Sequence, residues 1–225
     1  MIVVYVISLI VGLFAGTVHG LTKAEIRKFV TKTHIEHNTG LQGTVSITSH
    51  RGVHTLVSNG IPDHDTGTYP SQHTPNSIIE QDYYYQFPRN PIVASESTAL
   101  NQGPVGISIN GIPFYNPWTN DGQNAVLGER FDDCDGHPDK RGRYHYHKMP
   151  SSCVFTVEEG VASTIIGVAL DGFPIYGPID EDGSRLRTTD LDECHGKHGT
   201  DGKYRYHVTD DFPYILGCYK GEVGN

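Results

Sequence analysis

The chain has 225 residues, a formal net charge of −9 at neutral pH and a pI near 5.7. This charge argues against nucleic acids and anionic membranes as partners, and it is compatible with cations or a mineral surface. The length suffices for one large domain or two small ones with a sizeable hydrophobic core.

Residues 1–20 have the character of a secretory leader. The run from Ile2 to Phe14 is almost wholly apolar, and Val18 and Gly20 are placed like the small residues before a signal-peptidase cleavage site. The run is too short to span a bilayer comfortably, and no later segment is long and apolar enough to do so. We therefore expect a cleaved signal peptide and a secreted, extracellular protein. A buried N-terminal strand is the alternative, because the usual basic residues before the apolar run are missing.

Residues 21–43 form the one segment with helical character. The apolar residues up to His37 are spaced loosely along one helical face, and Thr22 with Glu25 fits a capping box. The Asn-Thr-Gly run at residues 38–40 is expected to end this helix.

Residues 44–225 predict an all-β domain, sandwich-like or barrel-like. Its first hairpin joins an alternating run at residues 44–48 to a returning strand at 53–58. Residues 59–104 are rich in Pro, Asn, Ser and His. They predict a long, ordered connection with short strands, because a wholly structureless loop of that length is uncommon in compact domains.

The second half of this domain repeats itself at an interval of about 60 residues. One copy spans residues 106–153 and the other residues 167–218. The matching segments, at offsets of 61 and then 60 residues, are 106–117 with 167–178 and 133–147 with 193–207. Such matches with one residue of drift indicate a tandem duplication, and we expect two similar β units about a pseudo-twofold axis.

Each copy opens with a strand, a tight turn and a second strand. Asn-Gly at residues 110–111 and Asp-Gly at 171–172 tolerate the positive φ of such turns, and a partial echo occurs at residues 59–60. A proline then begins the second strand. Because proline cannot donate to a central ladder, this strand is expected at a sheet edge.

Four cysteines in a secreted chain indicate two disulfides. Four cysteines allow three connectivities, and the duplication selects one bridge in each copy: Cys134–Cys153 and Cys194–Cys218. With all four cysteines bonded, a thiol nucleophile is not expected. The chain has no Asn-x-Ser/Thr sequon, so N-glycosylation is not expected either.

His145 and His147 are the strongest metal-ligating candidates. They are two residues apart in the run Tyr-His-Tyr-His, so a strand would place both imidazoles on one face and both tyrosines on the other. Two imidazoles on one face converge well on a transition metal such as zinc or copper. His137 is the best third ligand, because the Cys134 disulfide anchors its loop within the same copy.

The second copy does not repeat this pattern. Arg205 stands where the first copy has His145, and arginine does not ligate metals. Three alternatives therefore remain: a site in the first copy alone, a site shared across the pseudo-twofold by His145, His147 and His207, or buried histidines with a purely structural role. His64, between two aspartates, is a weaker metal candidate and is more typical of a hydrogen-bonding loop residue.

Motifs of enzymes are missing. The chain has no Gly-x-Ser-x-Gly, phosphate-binding loop, dinucleotide fingerprint or His-Glu-x-x-His. The acidic turn at residues 180–183 does not form an EF-hand pattern. No catalytic residue is predicted.

These residues together resemble the YHYH domain family, named after the signature at residues 144–147. The similarity covers roughly residues 44–221, and its further motifs are at residues 59–64, 171–178, 191–194 and 212–219. Arg205 departs from the pattern, since members often carry histidine there. The resemblance implies an extracellular, β-rich protein with no settled catalytic activity, and animal members look like secreted matrix components, including proteins of calcified shells.

Two functions are therefore predicted as alternatives. The first is a secreted extracellular matrix or interaction protein, with matrix components or a mineral surface as partners and a calcified organic matrix as one setting. The second is a zinc- or copper-binding module, or a metal-dependent enzyme, that uses the YHYH histidines.

Overall fold

A computed structural model describes residues 20–150 and 152–223 of the chain. The predicted signal peptide lies, apart from Gly20, outside the described residues. Within the described residues, no helix has both the length and the apolar character needed to cross a bilayer.

The described residues form fifteen short strands and very little helix. The strands are β1 Ile35–Glu36, β2 Leu41–Gln42, β3 Val45–His50, β4 Val53–Ser58, β5 Tyr83–Pro88, β6 Val93–Ala99, β7 Pro104–Ser108, β8 Pro113–Tyr115, β9 Gly136–Pro138, β10 Tyr144–Tyr146, β11 Ile165–Ala169, β12 Pro174–Tyr176, β13 Gly196–His198, β14 Tyr204–His207 and β15 Cys218–Gly221. The helices are α1 Lys23–Ile26, α2 Ala125–Gly128 and a 3₁₀ turn at Thr188–Asp190. The predicted all-β class is confirmed.

The largest sheet has eight strands in the order β13-β14-β12-β11-β7-β8-β10-β9. At its centre β7 and β11 pair antiparallel. On each side follow an antiparallel pair, a parallel pair and a second antiparallel pair. We call β7–β10 the first half-sheet and β11–β14 the second. The residues of the two sequence copies thus occupy corresponding strands of the two half-sheets.

Two glycines allow the central strands to approach closely. A Cβ on Gly167 would lie 2.5 Å from the carbonyl oxygen of Ile107, and one on Gly106 would lie 2.8 Å from that of Val168. Both distances are too short for non-bonded atoms. The glycine that opens each copy is therefore required by the pairing of the two halves.

The eight-stranded sheet contributes to two hydrophobic cores. In the first, Ile107, Ile165 and Val168 from its centre pack with residues of a three-stranded sheet, β3-β4-β5. In the second, four tyrosines of β10 and β14 pack with Phe114, Phe173 and residues near β15. This packing makes the fold sandwich-like, and no sheet of the described residues closes into a barrel.

The first hairpin forms as predicted, with β3 and β4 paired antiparallel from Val45–Ser58 to His50–Val53. Both disulfides are also confirmed: Cys134 is bonded to Cys153 and Cys194 to Cys218. Each bridge joins residues of its own copy. The turn glycines Gly111 and Gly172 have φ of 83° and 90°, as their turns require.

The short N-terminal helix predicted within residues 21–43 is confirmed, but it ends well before the predicted stop at residues 38–40. The capping box of Thr22 and Glu25 is present, but it starts a helix of only four residues. Further along, Val30 and Ile35 are about half exposed, so these apolar residues share no buried helical face. Residues 35–42 form the β1-β2 pair instead, joined by the Asn-Thr-Gly turn.

The prediction of edge strands after each turn is also wrong. β8 lies between β7 and β10, and β12 lies between β11 and β14. Pro113 and Pro174 are tolerated because each is the first residue of its strand, where a missing N–H removes no necessary ladder bond.

Candidate metal centre

The β9-β10 hairpin of the first half-sheet brings three histidines to one side of the sheet. In its antiparallel register His145 lies directly opposite His137. Residues in such cross-strand positions have neighbouring side chains. His147 follows two residues after His145 and so faces the same way, while Tyr144 and Tyr146 point into the tyrosine core.

The imidazole nitrogens converge on a small volume. His145 Nε2 lies 3.1 Å from His137 Nε2 and 3.1 Å from His147 Nε2. A carboxylate completes the group, with Glu129 Oε2 at 3.0 Å from His137 Nε2 and 3.4 Å from His147 Nε2. All four ligand atoms lie within 4.8 Å of one another. In a tetrahedral zinc site with bonds of 2.0–2.1 Å, neighbouring ligand atoms are about 3.3 Å apart.

Backbone carbonyls select the tautomer of these rings. Each ring donates its Nδ1–H to a carbonyl oxygen, which can only accept, so in the neutral ring Nε2 carries a bare lone pair. Metal-bound histidines are oriented by this kind of outer hydrogen bond. The acceptors for His137, His145 and His147 are the carbonyls of Arg130, Arg143 and Asn116, at 2.8, 2.9 and 2.7 Å.

Hydrogen bonds alone cannot easily satisfy all the facing nitrogen and oxygen atoms of this cluster. If only His137 were protonated, donating to Glu129, the lone pairs of His145 and His147 would still face each other. Satisfying every contact with protons requires two imidazolium ions side by side in a buried cluster, which is costly. One divalent cation satisfies all four ligand atoms at once.

The surroundings keep the central histidine neutral and the carboxylate charged. Burial, together with the neighbouring His137 and His147, holds the pKa of His145 well below its usual range. Burial alone would raise the pKa of Glu129, but His137 and His147, in the protonated form in which Nε2–H donates to this carboxylate, outweigh it and place that pKa well below its usual value. A neutral imidazole and an ionised carboxylate are the forms that bind metals.

The candidate centre lies at the wall of a cleft of about 690 Å³. All four ligand residues line this cleft, so a metal held there would be reachable by a small molecule. Aromatic rings support the ligands from the side. Tyr115 stacks on His145 with ring centroids 3.8 Å apart, and Phe131 lies 4.7 Å from His137.

Comparison with protein families now identifies the chain's family. Residues 84–185 and 177–221 match the sequence model of the family described as YHYH protein. The chain belongs to the YHYH family. No curated protein and no solved structure matches it significantly. The matched segments include both half-sheets, so the family pattern covers the candidate centre and its counterpart in the second copy.

In this YHYH protein the second half-sheet has the same backbone frame but different chemistry. His207 keeps the place of His147, and its Nδ1 donates to the equivalent carbonyl, that of Gly177, at 3.0 Å. Lys197 replaces His137 and Arg205 replaces His145. These two cations occupy the positions of the first copy's ligands.

Carboxylates of the second copy neutralise those cations. Lys197 forms an ion pair with Asp180. Arg205 pairs with Glu181 at 3.1 Å and with Asp201 at 2.7 Å. The acidic turn at residues 180–183 therefore balances internal cations of the second half-sheet.

The structure brings together His137, His145 and His147 but neither of the other two predicted ligands. No group of potential ligands among the described residues joins His207 to the first-copy histidines, so the shared site across the pseudo-twofold does not form. His64 lies on the tyrosine side, where Nδ1 contacts the carbonyl of Asp65 at 2.8 Å and Nε2 the hydroxyl of Tyr146 at 2.7 Å. Both ring nitrogens of His64 are thus engaged in hydrogen bonds.

His64 also lies near the sulfurs of Cys134 and Cys153. Those sulfurs form a disulfide, and metals are bound by thiolates rather than by disulfide sulfur. This second group therefore has no metal-binding chemistry.

Sequence reasoning missed Glu129. Glu129 directly follows the four-residue helix α2. Its backbone N–H closes the last turn of that helix by donating to the carbonyl of Ala125. No spacing pattern links Glu129 to His137, because a loop of irregular structure separates them. Only the folded arrangement shows that this carboxylate reaches the imidazoles.

Proposed function

We propose that this protein is an extracellular metal-binding protein that holds one divalent transition metal ion, with zinc favoured, at Glu129, His137, His145 and His147. One observation carries the proposal: three imidazoles, each with Nδ1 at hydrogen-bond distance from a backbone carbonyl, bring their Nε2 atoms together with a Glu129 carboxylate oxygen, all within 4.8 Å of one another. Such an arrangement is unfavourable without a cation and favourable with one.

The ligand set supports zinc, because histidine nitrogens and glutamate oxygens are common zinc ligands in proteins. Neighbouring ligand atoms lie 3.0–3.4 Å apart. This range includes the value of about 3.3 Å expected for neighbouring ligands of tetrahedral zinc. Imidazole and carboxylate ligands suit both ions, so copper is the principal alternative.

Two disulfides support the extracellular part of the proposal, because such bonds persist in oxidising compartments. Expression of the full chain in a secretory host tests this part. We expect the protein in the medium, with an N-terminus generated by cleavage after Gly20. Retention inside the cell with residues 1–20 intact would contradict it.

A role in an extracellular matrix, including a calcified organic matrix, is a second candidate function. It has the support of the net charge of −9, which suits cations and mineral surfaces. Its test is the location of the native protein. Recovery by demineralising or denaturing extraction of an insoluble matrix would support it, and recovery only as a free soluble protein would count against it.

Elemental analysis tests the metal proposal directly. The mature protein is purified without a histidine tag and without chelators, and its zinc, copper, iron, manganese and nickel contents are measured. We expect about one equivalent of metal per chain, mostly zinc, and retention through dialysis. Substitution His137→Gln should remove the metal, whereas Lys197→Gln, the change at the matching position of the second half-sheet, should leave it bound. Less than about one-tenth equivalent after reconstitution with each ion would refute the proposal.

A further inference from the structure

The cleft in front of the candidate metal centre is lined with basic side chains. Arg130, Lys140, Arg141 and Arg143 all line it, against the two carboxylates of Glu129 and Asp139. This concentration of positive charge stands out in a protein with a net charge of −9.

Neither carboxylate is available to neutralise the rest of the rim. Glu129 contacts the histidines. Asp139 pairs with Arg143 and also accepts hydrogen bonds from the hydroxyl of Tyr115 and from backbone N–H groups. Among the described residues, no ion pair to a carboxylate is formed by Arg130, Lys140 or Arg141, which are exposed at the mouth of the cleft.

In the second half-sheet, the protein's own carboxylates balance the positive charges at the equivalent place. Its three rim carboxylates, on Asp180, Glu181 and Asp201, pair with the internal Lys197 and Arg205. At the equivalent positions the first copy has Thr119, Asn120 and Arg141, which are neutral or basic. The first copy therefore lacks the neutralising rim and carries an additional cation in its place.

We propose that the cleft of the first half-sheet binds a small oxyanion, a carboxylate or phosphate group, that reaches the metal as a fifth ligand while Arg130, Lys140 and Arg141 surround it. This inference rests on the proposed metal site and names its ligand class. With a divalent ion bound, four basic side chains and two metal charges face only two carboxylates, so an anion relieves repulsion that nothing else in the cleft relieves. The cleft volume of about 690 Å³ lies in the range of small-molecule sites.

Spectroscopy of the cobalt-substituted protein tests this inference. Cobalt(II) replaces zinc in tetrahedral sites, and its visible spectrum reports ligands that enter its coordination shell. The full mature chain is loaded with cobalt(II) and titrated separately with inorganic phosphate, with acetate and with acetamide, the neutral counterpart of acetate. We expect saturable spectral changes with phosphate or acetate and none with acetamide. The stronger of the two anions indicates which oxyanion the cleft prefers.

The rim is tested by Lys140→Glu combined with Arg141→Glu, both exposed positions in the β9-β10 turn. Anion affinity should fall about tenfold or more, while cobalt affinity should change less than about threefold. The control is Thr200→Glu, which adds a negative charge at the position of Lys140 in the second half-sheet and should leave anion affinity unchanged.

The outcomes separate the two proposals. If cobalt and zinc both fail to bind, the metal site and the anion site are refuted together. If metal binds but neither anion gives a saturable change, or acetamide acts as strongly as acetate, the anion site is refuted and the metal site stands. An unchanged anion affinity in the Lys140/Arg141 variant would likewise refute the role of the basic rim.

Discussion

The two half-sheets share one backbone arrangement and differ in what fills it. Both have a tyrosine pair in the core, a disulfide that starts from the equivalent loop cysteine and a histidine whose Nδ1 donates to an equivalent carbonyl. The first half-sheet places two further imidazoles beside this histidine. The second places Lys197 and Arg205 there.

This difference shows which residues of the YHYH signature serve the fold and which could bind a ligand. The tyrosines pack in the same core in both halves, so they belong to the fold. The histidine after the first tyrosine is dispensable for the fold, because Arg205 takes its place in β14 without loss of pairing. In the second half-sheet the positive charges belong to the side chains of Lys197 and Arg205. We infer that in the first half-sheet the positive charge is a metal ion taken up from solution.

The largest effect is expected from making the first half resemble the second. His145→Arg introduces a cation at the centre of the proposed site and removes the imidazole that contacts both of its neighbours. Zinc affinity should fall at least about 1000-fold, equivalent to about 4 kcal/mol, in a competition assay with a chromophoric chelator. The reverse change, Arg205→His, should create no second site while Lys197 remains. Zinc binding by His145→Arg at the affinity of the unmodified protein would contradict the comparison.

A second test concerns Asp171, a buried carboxyl group that contacts a core tyrosine in the second half-sheet and has no counterpart in the first. Asp171 is fully buried and accepts from the hydroxyl of Tyr206 at 2.5 Å and from the N–H of Gly221 at 3.1 Å, whereas the first copy has Asn110 at this position. Burial raises the pKa of Asp171 to about 6, although these hydrogen bonds oppose the shift. Between pH 4 and 6 the folded protein therefore holds a proton that the unfolded chain has lost, and stability falls as pH rises.

Replacing Asp171 with Asn should remove this pH-dependent loss. The substitution also alters hydrogen bonds, which changes the free energy of unfolding by a similar amount at every pH. The informative quantity is therefore how the difference between the two proteins varies with pH. Relative to the unmodified protein, the variant should gain up to about 3 kcal/mol of unfolding free energy as pH rises from 4 to 7. Urea unfolding with the disulfides intact measures this. A difference that stays constant from pH 4 to 7 would show that Asp171 titrates normally.

A third test removes the charge of the ligand that the sequence did not reveal. Glu129→Gln keeps the side-chain shape but loses the carboxylate, so zinc affinity should fall about 10- to 100-fold, or about 1.4–2.7 kcal/mol. Glu181→Gln, which removes a carboxylate from the second half-sheet, is the matched control and should leave zinc affinity unchanged. Equal effects of the two substitutions would mean that only net charge matters.

The smallest effect is expected at a pair of equivalent loop carboxylates. Asp132 and Asp192 each accept hydrogen bonds from the backbone around the β9 or β13 turn and from a tyrosine hydroxyl. Asp132→Asn and Asp192→Asn should each lower the free energy of unfolding by about 1 kcal/mol, measured by urea unfolding. Only Asp132→Asn should also weaken zinc binding, by about tenfold at most, because it loosens the strand that carries His137. A zinc effect of similar size in both variants would contradict this.

The sequence predicts the parts of the molecule in which period and spacing determine position. Strand alternation places His145 and His147 on one face, and the repeat selects the correct disulfide pairing. The first hairpin follows from its alternating pattern and turn.

The remaining features depend on tertiary context. The loosely spaced apolar residues after Ile26 share no common buried surface, so the short N-terminal helix ends there. The strands that begin with Pro113 and Pro174 became internal because each proline occupies the first position, a detail that composition does not specify. Glu129 reaches the histidines from an irregular loop, where no periodic rule relates sequence to space.

Anomalous diffraction from crystals of the native, tag-free protein at the zinc absorption edge tests the central claim most directly. We expect one strong peak per chain, within about 2.0–2.2 Å of Nε2 of His137, His145 and His147 and of a Glu129 oxygen. We expect no peak between Lys197 and Arg205. A metal-reconstituted crystal without a peak at the first half-sheet, or with an equal peak at the second, would contradict it.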